Sequence, residues 1–210
     1  MDLTLTYLYQ DTKLVVVDKP SGLLSVPGKG EANQDSVETR VKEAFPGITR
    51  IPTVHRLDMD TSGLLVLALT KRAKRELMAQ FEQRLVGKRY IALLEGIVQQ
   101  EQGEISLPVR MDKDNRPFHL VDHKQGREAV TLWRRLGIEN GQTRIEFTPL
   151  TGRTHQLRLH ALHGLGFPIV GDRLYGHGTG PGQMKLHASF LRFEHPKSKE
   201  VLEFESKPLF

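Results

Sequence analysis

Six consecutive apolar residues, 64–69, stand between Gly63 and Thr70, and no other feature of the 210-residue chain constrains its fold as strongly. The run is too short for a buried helix, so it reads as a central strand with both faces covered. Directly before it comes Val54-His55-Arg56-Leu57-Asp58-Met59-Asp60-Thr61-Ser62-Gly63, a decapeptide with six polar side chains. A polar turn feeding a buried strand has to lie at the edge of the core. An aspartate there, with histidine and arginine as neighbours, can be held ionised by hydrogen bonds and a cation, as a nucleophile or base requires. The same residues also suit a plain Asx or Ser/Thr turn in which Asp58, Asp60, Thr61 and Ser62 cap backbone amides. Residue chemistry alone favours the plain turn.

Thr70 caps the clearest helix, in which Ala73, Leu77, Phe81 and Leu85 recur every four residues until Gly87 closes it. Lys71, Arg72, Lys74 and Arg75 fall in its first turns. Cations at a helix N-terminus oppose the macrodipole by ~0.3–1 kcal/mol each, so an anionic partner accounts for them better than helix stability does. Nine basic and four acidic residues lie between Arg50 and Ala92, which places the whole formal net charge of +5 in that stretch. A solvated helix face and a phosphate-binding surface both fit this pattern.

Strands are expected over residues 4–9, 14–17, 89–94, 103–107, 129–136 and 144–149, with a hairpin over 190–194 and 201–204. Lys19-Pro20-Ser21-Gly22 reads as the turn that stops the second strand. Asp35 or Ser36 caps a short helix that ends at Pro46-Gly47, with Glu38 placed for a capping box. Another helix over 155–163 follows the Thr151-Gly152-Arg153 turn, capped by Thr154 and closed by Gly164. Residues 176–182 read as a flexible loop. With no repeat and no linker, one sheet-dominated domain of mixed helix and strand is expected over 1–210.

The chain has no cysteine, which excludes thiol nucleophiles, CxxC redox chemistry and cysteine-ligated metals, and fits a reducing cytosol. Its apolar runs fall far short of the ~20 residues of a membrane span. Residues 1–8 alternate polar and apolar, with Asp2 where a signal peptide would carry basic charge, so no leader is expected. His160 and His163 share a helix face but have no acidic or cysteine ligand nearby in sequence, and no HExxH occurs. Neither GxxxxGK[ST] nor GxGxxG after a strand is present, so no metal and no nucleotide cofactor is expected.

His55-Arg56-Leu57-Asp58-x-x-Thr61-Ser62-Gly63 resembles the signature of the RluA-type pseudouridine synthases, whose aspartate is catalytic. Other motifs of that family follow in the same order. Lys19-Pro20-Ser21-Gly22 resembles its N-terminal turn, Lys88-Arg89-Tyr90-Ile91-Ala92 its tyrosine segment, and Asn115-Arg116-Pro117 and Gly126-Arg127-Glu128-Ala129 two of its short motifs. Thr151-Gly152-Arg153-Thr154-His155-Gln156-Leu157-Arg158-Leu159-His160 resembles its arginine-bearing helix, and Gly171-Asp172 and Leu186-His187-Ala188 its last two motifs. The resemblance spans nearly the whole chain.

It implies an α+β fold with a mixed, mainly antiparallel central sheet, flanking helices and a central RNA-binding cleft. It also implies a monomer that converts uridine to pseudouridine without a cofactor. Asp58 would be the catalytic carboxylate, paired with Arg158, and Tyr90 would lie against the extracted base. Arg56 would fill the gap left by the flipped nucleotide, Leu186 would pack behind the uracil, and His55 would fix the turn or a phosphate. Lys71, Arg72, Lys74 and Arg75 would contact the RNA backbone. With family motifs beginning by Lys19, no N-terminal S4-like module is expected, which matches the compact form of the family that modifies a tRNA anticodon stem-loop and a 23S rRNA stem-loop. A non-catalytic RNA-binding module on the same fold is the alternative.

Overall fold

Short, strongly apolar segments alternate with polar turns along this chain, and the computed structural model, which describes residues 3–210, converts most of them into strands. Met1 and Asp2, part of the segment expected not to be a leader, lie outside the described residues. In chain order the elements are β1 (Thr6–Gln10), β2 (Leu14–Lys19), α1 (Val37–Ala44), β3 (Ser62–Ala68), α2 (Lys71–Glu82), β4 (Gly87–Leu94), β5 (Gln102–Ser106), β6 (Val109–Met111), β7 (His119–Val121), β8 (Val130–Glu139), β9 (Gln142–Pro149), α3 (Gln156–Leu165), β10 (Leu186–Glu194) and β11 (Val201–Glu205). The chain divides into two compact units. One runs to Lys88 and resumes over His187–Leu209; the other comprises Arg89–Leu186 with Phe210.

In the first unit the strands are ordered β1-β2-β3-β10, with β11 paired to β10. β2 and β3 are antiparallel, from Leu14 opposite Ala68 to Lys19 opposite Gly63. β3 and β10 are parallel, with Ser62 opposite His187 and Gly63 opposite Ala188. The apolar run after Gly63 is the central strand: Leu64, Leu65, Val66, Leu67 and Ala68 are all buried. Leu64, Val66 and Ala68 pack with Leu14 and Val16 against Ala73 and Leu77 of α2 and Leu191 and Phe193 of β10.

Thr70 caps α2 as expected, its hydroxyl oxygen accepting from the Ala73 amide at 3.2 Å. The helix stops at Glu82 rather than Gly87, because Arg84 adopts a left-handed conformation with φ 60°. Leu85 therefore falls outside the apolar stripe and is exposed. Ser36 caps α1, accepting from the Thr39 amide at 3.1 Å. That places Glu38 one position too early for a capping box. Its carboxylate pairs with Lys42 at 2.7 Å and accepts from the Thr53 hydroxyl.

The second unit carries an antiparallel sheet ordered β4-β9-β8-β5 and a separate β6-β7 hairpin. Ala92, Leu94, Ile105, Trp133, Ile145 and Phe147 form its core with Leu157 and Ala161 of α3. At the start of α3 the cap is His155, left-handed with φ 57° and making no side-chain cap bond; Thr154 is not the cap. The helix runs through Gly164 and ends at Gly166. Gly164 is a packing residue, since a Cβ there would stand 2.7 Å from Cγ2 of Ile105. β6 and β7, three residues each, were not expected from sequence. The architecture is α+β, mostly antiparallel, with few helices.

Candidate active site

Asp58 lies in a turn whose carbonyls are held one after another. The Leu57 carbonyl accepts from the Ser25 hydroxyl at 2.7 Å, and that of Asp58 from the Thr61 amide at 3.1 Å. Met59 accepts from the Gly22 amide at 2.9 Å and from Lys19 Nζ at 3.0 Å, and Asp60 from the Ser21 hydroxyl at 2.5 Å. Three of these four carbonyls are gripped by the segment that starts with Lys19-Pro20-Ser21-Gly22. The segment read from sequence as a strand stop is thus the mould of the Asp58 turn. Buried backbone polar groups need partners, and here the partners fix the backbone that carries the carboxylate.

Lys19 is fully buried, and its ammonium also donates to the carbonyls of Pro20 and Leu23, at 2.9 and 2.8 Å. Burial pushes its pKa down to about 7, against the opposing pull of the Asp58, Asp60 and Asp18 carboxylates. Asp58 itself is partly buried, whereas Asp60 and Thr61 are buried.

At the exit of the turn, Gly63 has φ +107°, and a Cβ there would stand 2.4 Å from the Ala188 carbonyl oxygen. Only glycine lets β10 lie so close. The Ser62 hydroxyl meets His187 Nδ1 at 2.9 Å, and His187 Nε2 meets the Ser206 hydroxyl at 3.0 Å, which in turn donates to Asp18. Because the Asp18 carboxylate only accepts, the chain has one direction: Ser206 donates to Asp18, His187 Nε2–H to Ser206, and Ser62 to His187 Nδ1.

His55 Nε2 accepts from the Val66 amide at 3.1 Å, and its ring stacks on Phe81 with centroids 4.4 Å apart. Burial, with a smaller push from Lys88, holds its pKa down to about 3. The ring is therefore held neutral, with Nε2 joining the turn to β3. Arg56, its neighbour, is exposed, as are Lys71, Arg72 and Arg75 on the first turns of α2, with Lys74 partly buried.

Tyr90, Arg158 and Leu186 belong to the second unit. Tyr90 is partly buried on β4, opposite Phe147 of β9, and Leu186 is buried. Arg158, in the first turn of α3, is 3% exposed, which is uncommon for an arginine and calls for a partner. Its Nε and Nη2 donate to the two carboxylate oxygens of Asp172, at 2.7 and 2.6 Å. Burial works to raise the Asp172 pKa, but Arg158 and the amides of Leu174 and Tyr175 hold it below the usual carboxylate range. Gly171-Asp172 is recognisable as a family motif, but nothing local in the sequence marks Asp172 for this role, or Lys19 and Tyr175 for theirs.

Among the described residues no group of three or more histidines and carboxylates is arranged to hold a metal ion. His160 meets the Thr131 hydroxyl at 2.9 Å and the Leu107 carbonyl at 3.1 Å, and burial lowers its pKa, so it is a satisfied core histidine. Among the described residues no helix is long and apolar enough to cross a membrane.

The family model described as RNA pseudouridylate synthase matches residues 13–163. The chain is 44% identical over 207 residues to the dual-specificity RNA pseudouridine synthase RluA of Yersinia pestis, covering 97% of this chain and 98% of that protein. It is 45% identical over 210 residues to the protein of that name from Haemophilus influenzae, covering 98% and 94%. Among solved structures it is similar to human RNA pseudouridylate synthase domain containing 1, with a TM-score of 0.76 and 30% identity over 98% of this chain and 84% of that one. Human RNA pseudouridylate synthase domain containing 4 gives a TM-score of 0.75 and 26% identity, over 97% and 88%. The chain therefore belongs to the RluA-type RNA pseudouridine synthases, isomerases that convert uridine to pseudouridine in RNA.

Proposed function

We propose that this synthase acts on two structured RNAs, a tRNA anticodon stem-loop and a 23S rRNA stem-loop, as a cytoplasmic monomer built on one catalytic domain, with Asp58 as its catalytic carboxylate. The dual target is supported by the near full-length identity to synthases described as dual-specificity. The observation that carries the assignment of Asp58 is its turn, in which four successive carbonyls are hydrogen-bonded and the backbone beneath the carboxylate has nowhere to drift.

The reaction breaks the N1–C1′ bond, turns the uracil and joins C5 to C1′, while a proton leaves C5 and N1 gains one. There is no net oxidation and no leaving group, so the chemistry calls for neither a redox partner nor an energy source. A carboxylate suffices, either adding to the sugar or base as a nucleophile or removing the C2′ proton. Arg158 would pair with the Asp58 carboxylate and Tyr90 would lie against the base, with Leu186 packed behind it. Extracting the uridine from its stack costs a few kcal/mol. Arg56, exposed beside the turn, is suited to fill the gap, because a guanidinium stacks on bases and bonds phosphates together. The exposed Lys71, Arg72 and Arg75, with Lys74, would neutralise phosphates and make binding salt-sensitive.

Mapping pseudouridine in total RNA from cells with and without the gene tests the target assignment. Joint loss of one tRNA site and one 23S rRNA site is the expected result. Loss of a single site would contradict dual specificity.

A further inference from the structure

Three elements of the second unit meet at Tyr175. Its ring lies under the Arg158 guanidinium, 5.0 Å from ring centroid to Cζ. Its hydroxyl accepts from the His119 amide at 2.8 Å, at the first residue of β7, and meets His155 Nδ1 at 2.8 Å, at the cap of α3. The Asp172 carboxylate that grips Arg158 also accepts from the backbone amides of Leu174 and Tyr175, at 2.9 and 3.1 Å. Carboxylate and ring therefore sit on one short, internally bonded stretch and form a single cradle for the guanidinium.

That cradle opposes two unfavourable terms. A cation in the first turn of a helix faces the positive end of the macrodipole, so Arg158 stays inward only if something holds it there. His155, three residues earlier, is left-handed at φ 57° with no side-chain cap bond, a conformation unfavourable for a non-glycine residue. Its ring is boxed in by Tyr175 and His119, with centroids 5.5 and 4.9 Å away. The backbone at the start of α3 has separate anchors. Gln156 Oε1 accepts from the Thr151 hydroxyl and the Arg153 amide, and its Nε2 donates to Val130 and Thr131. Removing the Tyr175 side chain thus loosens the placement of Arg158 without taking away what folds α3.

We propose that Tyr175 is a positioning residue for Arg158, its ring supporting the guanidinium and its hydroxyl tying the cap of α3 to the β6–β7 hairpin, a role that rests on Arg158 serving the reaction. Tritium release from a stem-loop RNA labelled at uridine C5 gives kcat and KM for Tyr175→Leu, which removes ring and hydroxyl, and Tyr175→Phe, which keeps the ring. Misplacing a reacting group by about 1 Å can cost about 100-fold. Tyr175→Leu is expected to lose kcat by about 30- to 100-fold with KM within about twofold, and Tyr175→Phe to recover kcat to within about fivefold of the parent. Melting temperatures confirm that each variant is folded at the assay temperature. Parental kcat in Tyr175→Leu overturns the role, as does a loss that Tyr175→Phe does not relieve. Asp58→Asn, assayed alongside, separates two failures: an active Asp58→Asn sinks the catalytic reading and this role with it, whereas an inactive one beside a fully active Tyr175→Leu sinks only the role of Tyr175.

Discussion

Lys19 Nζ donates to the Met59 carbonyl at 3.0 Å, across forty residues of chain and from a fully buried position. The contact joins two family motifs, and through it the first motif shapes the backbone of the second. Replacing Lys19 by Met fills the space but strips the carbonyls of Pro20 and Leu23 of the ammonium donor, while Met59 keeps the Gly22 amide. An orphaned buried acceptor costs about 1–3 kcal/mol, so Lys19→Met should lose about 2–4 kcal/mol. Urea unfolding checks this as a lower midpoint at unchanged slope.

Gly63 and Gly47 separate close packing from backbone strain. Both have positive φ, +107° and +83°, but a Cβ at Gly63 would meet Ala188 backbone at 2.4 Å, while one at Gly47 would meet nothing within 4 Å. Gly47→Ala is expected to cost only the conformational term, about 1 kcal/mol. Gly63→Ala must also displace β10 from β3 and should cost at least about 3 kcal/mol. Comparable melting temperatures for the two variants would show that β10 yields freely at this point.

Asp172 and Arg158 form a buried fork with both partners nearly inaccessible. Asp172→Asn takes the carboxylate charge out of this fork, and breaking a buried pair from one side typically costs about 3–5 kcal/mol. Thermal melts should show the drop, and a variant of parental stability would mean that Arg158 has another sufficient acceptor.

His55 gives the fold a pH dependence of definite sign. Its native pKa of about 3 lies below the ordinary histidine value near 6.5. Above about pH 6.5 the ring is neutral in both states and contributes no slope. Between about pH 6.5 and 3 the unfolded chain takes up a proton that the native state refuses, so stability falls with pH by up to about 1.4 kcal/mol per unit. Gln at this position can accept the Val66 amide without titrating, so the acid-side slope of the urea midpoint should be shallower in His55→Gln. Identical slopes would contradict a His55 held neutral in the native state.

The parts legible from sequence were those governed by local rules. β3 was readable because six apolar residues lie between a glycine and a cap, and the start of α2 because Thr70 precedes a four-residue apolar repeat. The end of α2 was not, because Arg84 takes a left-handed turn that residue propensities disfavour. β6 and β7 are too short to show alternation. At the site, Asp58 was distinguishable from an ordinary turn aspartate only through its motif. Lys19 was legible only as part of a strand-ending turn, because its acceptor on Met59 is distant in sequence. The pairing of Arg158 with Asp172 was not legible, because the aspartate comes fourteen residues later in a loop.

The central claim is that Asp58 performs the isomerisation, and the most direct measurement is tritium release from RNA labelled at uridine C5, run beside RNA binding by the same preparations. The parent chain should release label, and Asp58→Asn should fall by at least about 1,000-fold while its RNA dissociation constant stays within about threefold. Release by Asp58→Asn at the parental rate would contradict the account, as would a parent chain that binds RNA and releases no label.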